Sequence, residues 1–432
     1  MNKSFKYLGI ATLVVIILVT AIVPSMAADS VPSTNSNHAQ LPAVDLLMWS
    51  KESETYHTDT AMIEAFDAWA AENAPGSTLT IETLDVEELR QNMQSAALAG
   101  EGLPDFLWTV ADHAGPFTEA GLVQPLDELF DMEAYLNTVV LDGQTWGIPF
   151  SAGNHLMLIY NKQYVETPPA TVEELIEMSA QLAADNADVE GFTPFLFHQG
   201  ESFWVLPWMQ AINPDGVPFV GFAADGVTPD LNNDSLIKTL ELLASFKELG
   251  VTSSECDYNC LDGLFKEGKA AMTINGDWSL GGETGMIATL GEENIGLAPW
   301  PMFEGGQPAP LVAGTYAMIP AATEGDKLDV VVEFLKWYTT DVPTVLGYTV
   351  TQGRLPGLLA AFDDPSIAED RLVGESAAAL STGVPQPVNV EMRCIFDAIT
   401  QEYQAVMSGS ETPVEAGANA QAFAETCIAD LQ

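Results

Sequence analysis

The stretch Phe265-Lys-Glu-Gly-Lys-Ala-Ala-Met-Thr-Ile-Asn-Gly-Asp-Trp-Ser279 carries most of the information about the fold. Apolar residues at helical spacing lead into it, and Gly268 is a typical helix stop. Ala271 to Ile274 has the composition of a short buried strand, which Asn275-Gly276 ends. Trp278 is therefore predicted where the chain leaves the sheet. Open α/β sheets place their ligand crevice at such strand ends, so Trp278 either binds a ligand or fills the hydrophobic core.

Strand and helix patterns alternate in the first part of the chain. The predicted elements there are strands at 44–49, 79–83 and 104–108, helices at 61–70 and 86–98, a hairpin over 139–148 around Asp142-Gly143, and a strand at 156–160. Such alternation predicts a parallel α/β sheet. From residue 171 the pattern is mainly helical, with helices at 171–182, 236–249 and 327–338, a strand at 316–319, and helix from 393 onward.

The N-terminus has the pattern of an export signal. Lys3 and Lys6 form a positive region, residues 8–23 an apolar core, and Ser25-Met26-Ala27 a small-x-small cleavage site. We expect residues 1–27 to be a cleaved signal peptide, with a retained N-terminal anchor as the alternative. The polar segment 28–42 is predicted to be a flexible spacer. The protein is thus expected to be exported, periplasmic or extracellular, and associated with the cell surface.

The composition excludes several partners. The 432 residues include 14 Lys and Arg against 61 Asp and Glu, a net charge of −47. Such a surface repels nucleic acid and anionic lipid, so neither is expected to bind. The hydrophobic content of 47% supports a large folded core. The length suggests two domains.

Four cysteines, Cys256, Cys260, Cys394 and Cys427, predict two disulfides in an exported chain. Three connectivities are possible, and the most economical joins Cys256 to Cys260 and Cys394 to Cys427. Zinc at the first pair is disfavoured because no second ligand pair has suitable spacing. The EF-hand-like spacing from Asp230 has Ser235 where the calcium loop needs Gly. Asp234 is instead predicted to be the N-cap of the helix that follows. We expect no metal and no cofactor.

The segment Ala271-Met-Thr-Ile-Asn-Gly-Asp-Trp278 resembles a signature of extracellular solute-binding proteins of ABC importers. The maltose/maltodextrin-binding group has the run Ala-Met-Thr-Ile-Asn-Gly-x-Trp, whose Trp stacks on a sugar ring. Further segments resemble the same group: 103–108 with Asp112 and Gly115, Leu158-Ile-Tyr-Asn161, and Gly353-Arg-Leu-Pro356. The resemblance extends over roughly 44–422.

This resemblance implies an α/β fold of the two-lobe periplasmic-binding-protein type, with a hinge and a central ligand cleft. It implies discontinuous lobes, with residues 43–153 and 311–357 in the N-terminal lobe and 154–310 and 358–432 in the C-terminal lobe. Crossing strands between the lobes would act as the hinge for cleft closure.

Sugar recognition needs flat apolar faces for the ring and planar polar groups for its hydroxyls. The residues expected to supply them are Trp278, Asp277, Glu201, Phe203, Trp204, Trp108, Asp112, His113, Asn154, Phe396 and Glu82. Glu201 and Phe203 fall where the resembling group has a hydroxyl-binding Glu and a stacking Tyr. Trp108, Asp112 and His113 correspond to a Trp, an Asp and an Arg of that group. This sequence departs from the pattern in two respects, since the aromatic is one place earlier and His replaces Arg.

Structural alternatives stay open for several of these residues. Trp204 and Trp208 could both belong to the core, and so could Phe396, which has helical spacing. Asp112 could cap a turn.

The function that the resemblance implies is capture of a sugar or oligosaccharide, maltodextrin-like, by a monomeric protein that delivers it to the membrane permease of an ABC importer. One alternative is a binder of a polyol or glycerol phosphate, although four arginines in the whole chain disfavour a phosphate ligand. Another is a secreted carbohydrate-active enzyme. A glycosidase needs two carboxylates across one bond, and no motif marks such a pair, so we expect no enzymatic activity.

Overall fold

The computed structural model describes residues 40–51, 58–252 and 256–431. The predicted signal peptide and most of the predicted spacer lie outside these residues. The strands are β1 (Asp45–Ser50), β2 (Thr78–Thr83), β3 (Phe106–Val110), β4 (Val139–Leu141), β5 (Gln144–Gly153), β6 (Leu156–Asn161), β7 (Thr193–Leu196), β8 (Ala270–Gly276), β9 (Ile295–Ala298), β10 (Leu311–Met318), β11 (Leu355–Pro356) and β12 (Val384–Pro385).

Fourteen α-helices lie in the same described ranges. They are α1 (Thr58–Asn73), α2 (Val86–Ala99), α3 (Ala114–Glu119), α4 (Val172–Asp185), α5 (Leu206–Gln210), α6 (Asp234–Glu248), α7 (Tyr258–Lys266), α8 (Met286–Leu290), α9 (Gly325–Thr340), α10 (Val342–Tyr348), α11 (Pro365–Glu369), α12 (Arg371–Leu380), α13 (Glu391–Met407) and α14 (Pro413–Asp430). None of those described is long and apolar enough to cross a membrane.

The strands form two sheets, which are the centres of two α/β lobes. The first sheet has the order β11-β5-β10-β3-β1-β2, with β4 paired to β5 and β12 to β10. In it, β1 is parallel to β2 and β3, as the βα alternation predicts. The sheet is nevertheless mixed, because β10 returns from the second lobe and enters antiparallel to β3 and β5.

The second sheet has the order β7-β8-β6-β9. Every residue of its central strands β6 and β8 is buried. This burial explains why β6 begins with the uninterrupted apolar run 156–160 instead of alternating apolar and polar residues, since both faces of the sheet are covered. Its Leu158, Phe195 and Ile274 join a hydrophobic core separate from the one around Phe106 and Phe334 of the first lobe.

Local signals set several element ends. Thr171 caps α4, and its side chain accepts a hydrogen bond from the amide of Glu174 at 3.2 Å. At α6 the prediction that Asp234 is the N-cap is wrong. Asn233 takes that role, because its side-chain oxygen accepts from the amides of Ser235 and Leu236 at 3.0 and 3.2 Å.

Both predicted disulfides are confirmed. Cys394 and Cys427, with Cα atoms 5.7 Å apart, join α13 to α14. Cys256 and Cys260, with Cα atoms 5.2 Å apart, close a short loop at the start of α7.

Candidate ligand-binding cleft

A cavity of about 870 Å³ lies between the two lobes. This volume is within the range of small-molecule sites. The first lobe contributes the start of α2 and the turn that follows β3. The second lobe contributes α7, the 3₁₀ turn Asp277–Ser279 and the N-terminal half of α13.

Trp278 lies where β8 ends and is partly exposed in the cleft. Its indole Nε1–H donates to the hydroxyl of Tyr258 at 3.0 Å. The indole folds back over Gly276, where an added Cβ would overlap its six-membered ring. The ring of Phe203 has its centroid 6.3 Å away at an interplanar angle of 43°. These contacts hold two aromatic faces side by side on one wall.

Phe203 and Trp204 lie in the 3₁₀ turn Ser202–Trp204, Glu201 directly precedes it, and all three residues line the cleft. Trp204 is 4% exposed, and its indole N–H donates to the carbonyl of Ile274 at 3.0 Å. It therefore belongs to the core, although it also lines the cavity. Trp208, by contrast, is a core residue packed edge-on against Trp300.

The Glu201 carboxylate is held in an unusual electrostatic environment. Its side chain keeps 53% of its surface accessible in the cleft, and His198 Nε2 lies 3.9 Å from Oε2. The surrounding walls still remove it from bulk water. This desolvation, together with the negative charges of Asp112 and Glu87, raises the pKa of Glu201 to about 7.

The opposite wall is also acidic. Asp85 caps α2 by accepting from the amide of Glu87 at 3.0 Å, and Asp112 lies in the turn after β3. Across the whole lining, six carboxylates face three cations. Two of those cations are neutralised locally, since Lys266 pairs with Asp262 and Arg393 pairs with Glu87 and Asp397.

Seven of the residues predicted from the sequence line the cleft. They are Trp278, Glu201, Phe203, Trp204, Asp112, Asn154 and Phe396. Phe396 also packs against the core of the second lobe, as expected from its helical spacing. Asn154, with φ of 52°, marks the crossing from β5 to β6.

Trp108 and His113, which were expected at the ligand, are fully buried instead. Trp108 stacks on Phe150 with ring centroids 3.9 Å apart. His113 is 0% exposed and lies 2.7 Å from the Thr109 hydroxyl through Nδ1. Burial lowers the pKa of His113, which favours its neutral form. Neither residue lines the cavity, because the fold of the first lobe turns both side chains into its core.

Asp277 and Glu82 also lie away from the cleft lining. Asp277 is 1% exposed and accepts from the amide of Asn154 at 3.2 Å, with His155 Nδ1 4.0 Å from its carboxylate. It therefore fixes the β5–β6 crossing instead of facing a ligand. Glu82 is exposed and accepts from the indole of Trp49 at 2.8 Å.

The sequence predictions missed several lining residues, among them Tyr258, Asn259, Asp262, Lys266 and Arg393. Tyr258 and Asn259 lie inside the predicted Cys256–Cys260 loop, and this constrained loop was the sequence feature that could have drawn attention to them. Arg393 directly precedes Cys394 and is one of four arginines in the chain. Within the described ranges, no group of three or more His, Cys, Asp or Glu side chains is arranged to hold a metal ion.

Two α/β lobes, a cleft between them and chain crossings beside that cleft define the class of two-lobe solute-binding proteins. The chain belongs to the family of bacterial extracellular solute-binding proteins, whose model matches residues 61–374. Its fold is similar to that of a maltose/maltodextrin-binding domain from Bdellovibrio bacteriovorus solved with maltotriose. The TM-score is 0.81 and the identity 33%, over 89% of this chain and 100% of the other.

Two curated relatives extend this comparison. The maltotriose-binding protein of Pyrococcus abyssi is 25% identical over 324 residues, which cover 72% of this chain and 67% of the relative. The galactooligosaccharide-binding protein of Bacillus subtilis is 24% identical over 420 residues, which cover 93% and 94%.

Proposed function

We propose that this protein captures a neutral oligosaccharide, of the maltodextrin type, between its lobes and delivers it to the membrane permease of an ABC importer. The observation that carries the proposal is the pair of aromatic faces, Trp278 and Phe203, beside Glu201 in the cleft. A pyranose ring stacks on such faces, and its hydroxyls donate to carboxylates. The relatives from Pyrococcus abyssi and Bacillus subtilis are named as oligosaccharide-binding proteins, and the similar Bdellovibrio bacteriovorus domain is bound to maltotriose.

The charge distribution favours a neutral ligand over a phosphorylated one. A phosphate needs unpaired cations or a bidentate arginine. Here Arg393 is already engaged by Glu87 at 2.5 Å and by Asp397 at 2.8 Å. Lys266 is engaged by Asp262 at 2.5 Å. Glycerol phosphate is therefore a poor candidate, whereas a polyol stays compatible with the polar wall.

Delivery rests on differential binding. A ligand that contacts both walls stabilises the closed lobes, and a permease that recognises the closed state then receives it. We infer lobes of 43–153 with 311–357 and 154–310 with 358–432, supported by the strand distribution, although β12 pairs with β10 of the first sheet. The protein would work exported, in the periplasm or at the cell surface, as a monomer and without chemical turnover.

The test is titration calorimetry with maltose, maltotriose, longer maltodextrins, galactooligosaccharides, a polyol and glycerol phosphate. We expect saturable binding of one oligosaccharide class and no change of that ligand after prolonged incubation. Turnover would instead indicate a carbohydrate-active enzyme. Binding of glycerol phosphate but of no sugar would contradict the proposal.

Two tryptophan variants locate the site. Trp278→Ala removes a cleft aromatic and should weaken binding by roughly 30- to 1000-fold, the range of a central aromatic anchor. Trp108→Ala is the matched control, since its indole is buried in the core of the first lobe. It should cost about 3–5 kcal/mol of stability and leave the affinity of the folded fraction nearly unchanged. If Trp278→Ala kept its affinity and Trp108→Ala lost it, the ligand would bind away from Trp278.

A further inference from the structure

The Cys256–Cys260 disulfide closes a loop with a sequence separation of 4. Because disulfide stabilisation grows with the length of the closed loop, such a bridge restricts the unfolded chain less than the Cys394–Cys427 bridge, whose separation is 33. The Cys256–Cys260 disulfide is therefore expected to add little to the stability of the fold. Its position suggests another role, since the enclosed residues Tyr258 and Asn259 line the ligand cleft.

Tyr258 connects this loop to Trp278 in the cleft. Its hydroxyl accepts the hydrogen bond from Trp278 Nε1 at 3.0 Å. Its ring centroid lies 6.2 Å from that of Trp204, which is itself anchored by a hydrogen bond to the carbonyl of Ile274. Tyr258 thus binds the N–H edge of the Trp278 indole. The six-membered ring at the other end of the indole packs against Gly276, where only the absence of a side chain leaves room for it.

The disulfide fixes Tyr258 from both sides. Cys256 is 2% exposed, and its carbonyl accepts the amide of Gln199 at 3.0 Å, which ties it to the chain just after β7. Cys260 lies in the first turn of α7, where its amide donates to the capping side chain of Asp257 at 2.8 Å. The bridge between these two points leaves the intervening Tyr258 little freedom.

We propose that the Cys256–Cys260 disulfide is a positioning element of the ligand site, which holds Tyr258 so that its hydroxyl orients the indole of Trp278. The inference rests on the proposed function, in that the oriented indole is the surface on which a sugar ring stacks. Tyr258 is accordingly a positioning residue. Order in the free site raises affinity because less conformational entropy is lost on binding.

The test is a mutant cycle with variants C256S/C260S, Y258F and the triple C256S/C260S/Y258F. Maltotriose affinity is measured by calorimetry, and the ligand-free indole N–H resonance of Trp278 is measured by NMR. The double and single variants should each weaken binding by roughly 3- to 10-fold, about the range of one lost hydrogen bond. Their losses should combine to clearly less than the product, and the indole resonance should shift in all three.

Variant C394S/C427S is the matched control. It removes the disulfide that joins α13 to α14 and leaves the Cys256–Cys260 loop intact, so it should lower stability and leave the affinity and the indole resonance of the folded protein unchanged. Losses that multiply fully in the triple variant would overturn the proposal, since the disulfide would then act independently of Tyr258.

Failure of this inference is distinguishable from failure of the proposed function. If the wild type binds maltotriose and C256S/C260S binds it equally well with an unshifted indole resonance, the inference is wrong and the function stands. If the wild type binds no sugar, the function fails, and an unshifted resonance in C256S/C260S and Y258F would overturn this inference too. Y258F leaves both disulfides intact, so it still tests the hydrogen bond to Trp278 should C256S/C260S fold poorly.

Discussion

The guanidinium of Arg393 lies 2.5 Å from the carboxylate of Glu87, which joins α13 of the second lobe to the start of α2 in the first. The same side chain pairs with Asp397 at 2.8 Å, and Glu87 also pairs with Arg90 at 2.9 Å. Although partial burial opposes it, the charges of Arg393 and Arg90 lower the pKa of Glu87. One ion-pair network therefore links the two walls of the cleft, and we expect it to favour the closed lobes.

Arg393→Gln should shift the lobes toward an open arrangement and weaken ligand binding. The pair is partly exposed, so its contribution is on the order of 0.2–1 kcal/mol, or up to about 5-fold in affinity. The loss should be larger at low ionic strength, because salt already screens the wild-type pair. Calorimetry at two salt concentrations and small-angle X-ray scattering of the free protein measure it.

Arg371→Gln is the control for the loss of one arginine, since Arg371 pairs with Glu375 and Glu292 within the second lobe. It should leave affinity and scattering unchanged. Equal effects of the two variants would show that net charge, and not the Glu87 pair, governs closure.

Glu201 should make the folded state less stable as the pH rises from about 4.5 to about 7. Its pKa is raised from 4.5 to about 7, so the folded protein holds a proton that the unfolded chain has lost. Stability falls with rising pH wherever the folded state binds more protons. Glu201→Gln should flatten the slope in this window, which chemical denaturation at several pH values tests.

Glu402 provides the comparison, because burial and the neighbouring Glu411 raise its pKa to about 7 as well. Glu402→Gln should flatten the same part of the stability profile. It does not line the cleft, so it should leave ligand affinity unchanged, whereas Glu201→Gln should weaken it. An affinity that is insensitive to Glu201→Gln would remove this carboxylate from the binding site.

Gly276→Ala should displace the indole of Trp278 without altering the backbone. The φ of Gly276 is −98°, which any residue adopts, but an added methyl would overlap the indole ring. We expect affinity to fall by roughly 10-fold or more while the sheet stays folded. Gly374→Ala in α12, where nothing lies within 4 Å of an added Cβ, should bind normally. Wild-type affinity of the Gly276 variant would argue against a fixed indole at the ligand.

Removing the Cys394–Cys427 disulfide with C394S/C427S should lower the free energy of unfolding by about 3–4 kcal/mol. The bridge closes a loop with a sequence separation of 33 and joins α13 to α14. The expected loss follows from the greater freedom of the unfolded chain. Denaturant unfolding of oxidised wild type and variant measures it, and an unchanged midpoint would contradict this expectation.

Local sequence patterns were sufficient for many of the individual helices and strands. The buried strand predicted at 271–274 is β8, the helices predicted at 86–98 and 236–249 are α2 and α6, and the Asp142-Gly143 turn joins β4 to β5. These succeed because periodicity, turn residues and caps act within a few residues of the chain. The antiparallel entry of β10 between β3 and β5 follows from pairing between segments far apart in the chain, which no local pattern reports.

The cleft was predicted less completely for the same reason. Sequence marked the Glu201–Trp204 segment and Trp278 by their residue types. Trp108 stands one place earlier in its strand than the aromatic of the resembling group, and a shift of one residue turns a strand side chain to the opposite face. It therefore packs on Phe150 in the core.

By itself the sequence determined many of the strands and helices, how the four cysteines pair most economically, and which residue types are suited to a sugar. The tertiary structure alone decided which carboxylates share the cleft, that Arg393 reaches Glu87, and that Tyr258 holds Trp278. The physical reason is distance along the chain. Burial, ion pairing and the resulting pKa of Glu201 depend on side chains far apart in sequence, whose meeting is fixed only when the two lobes pack.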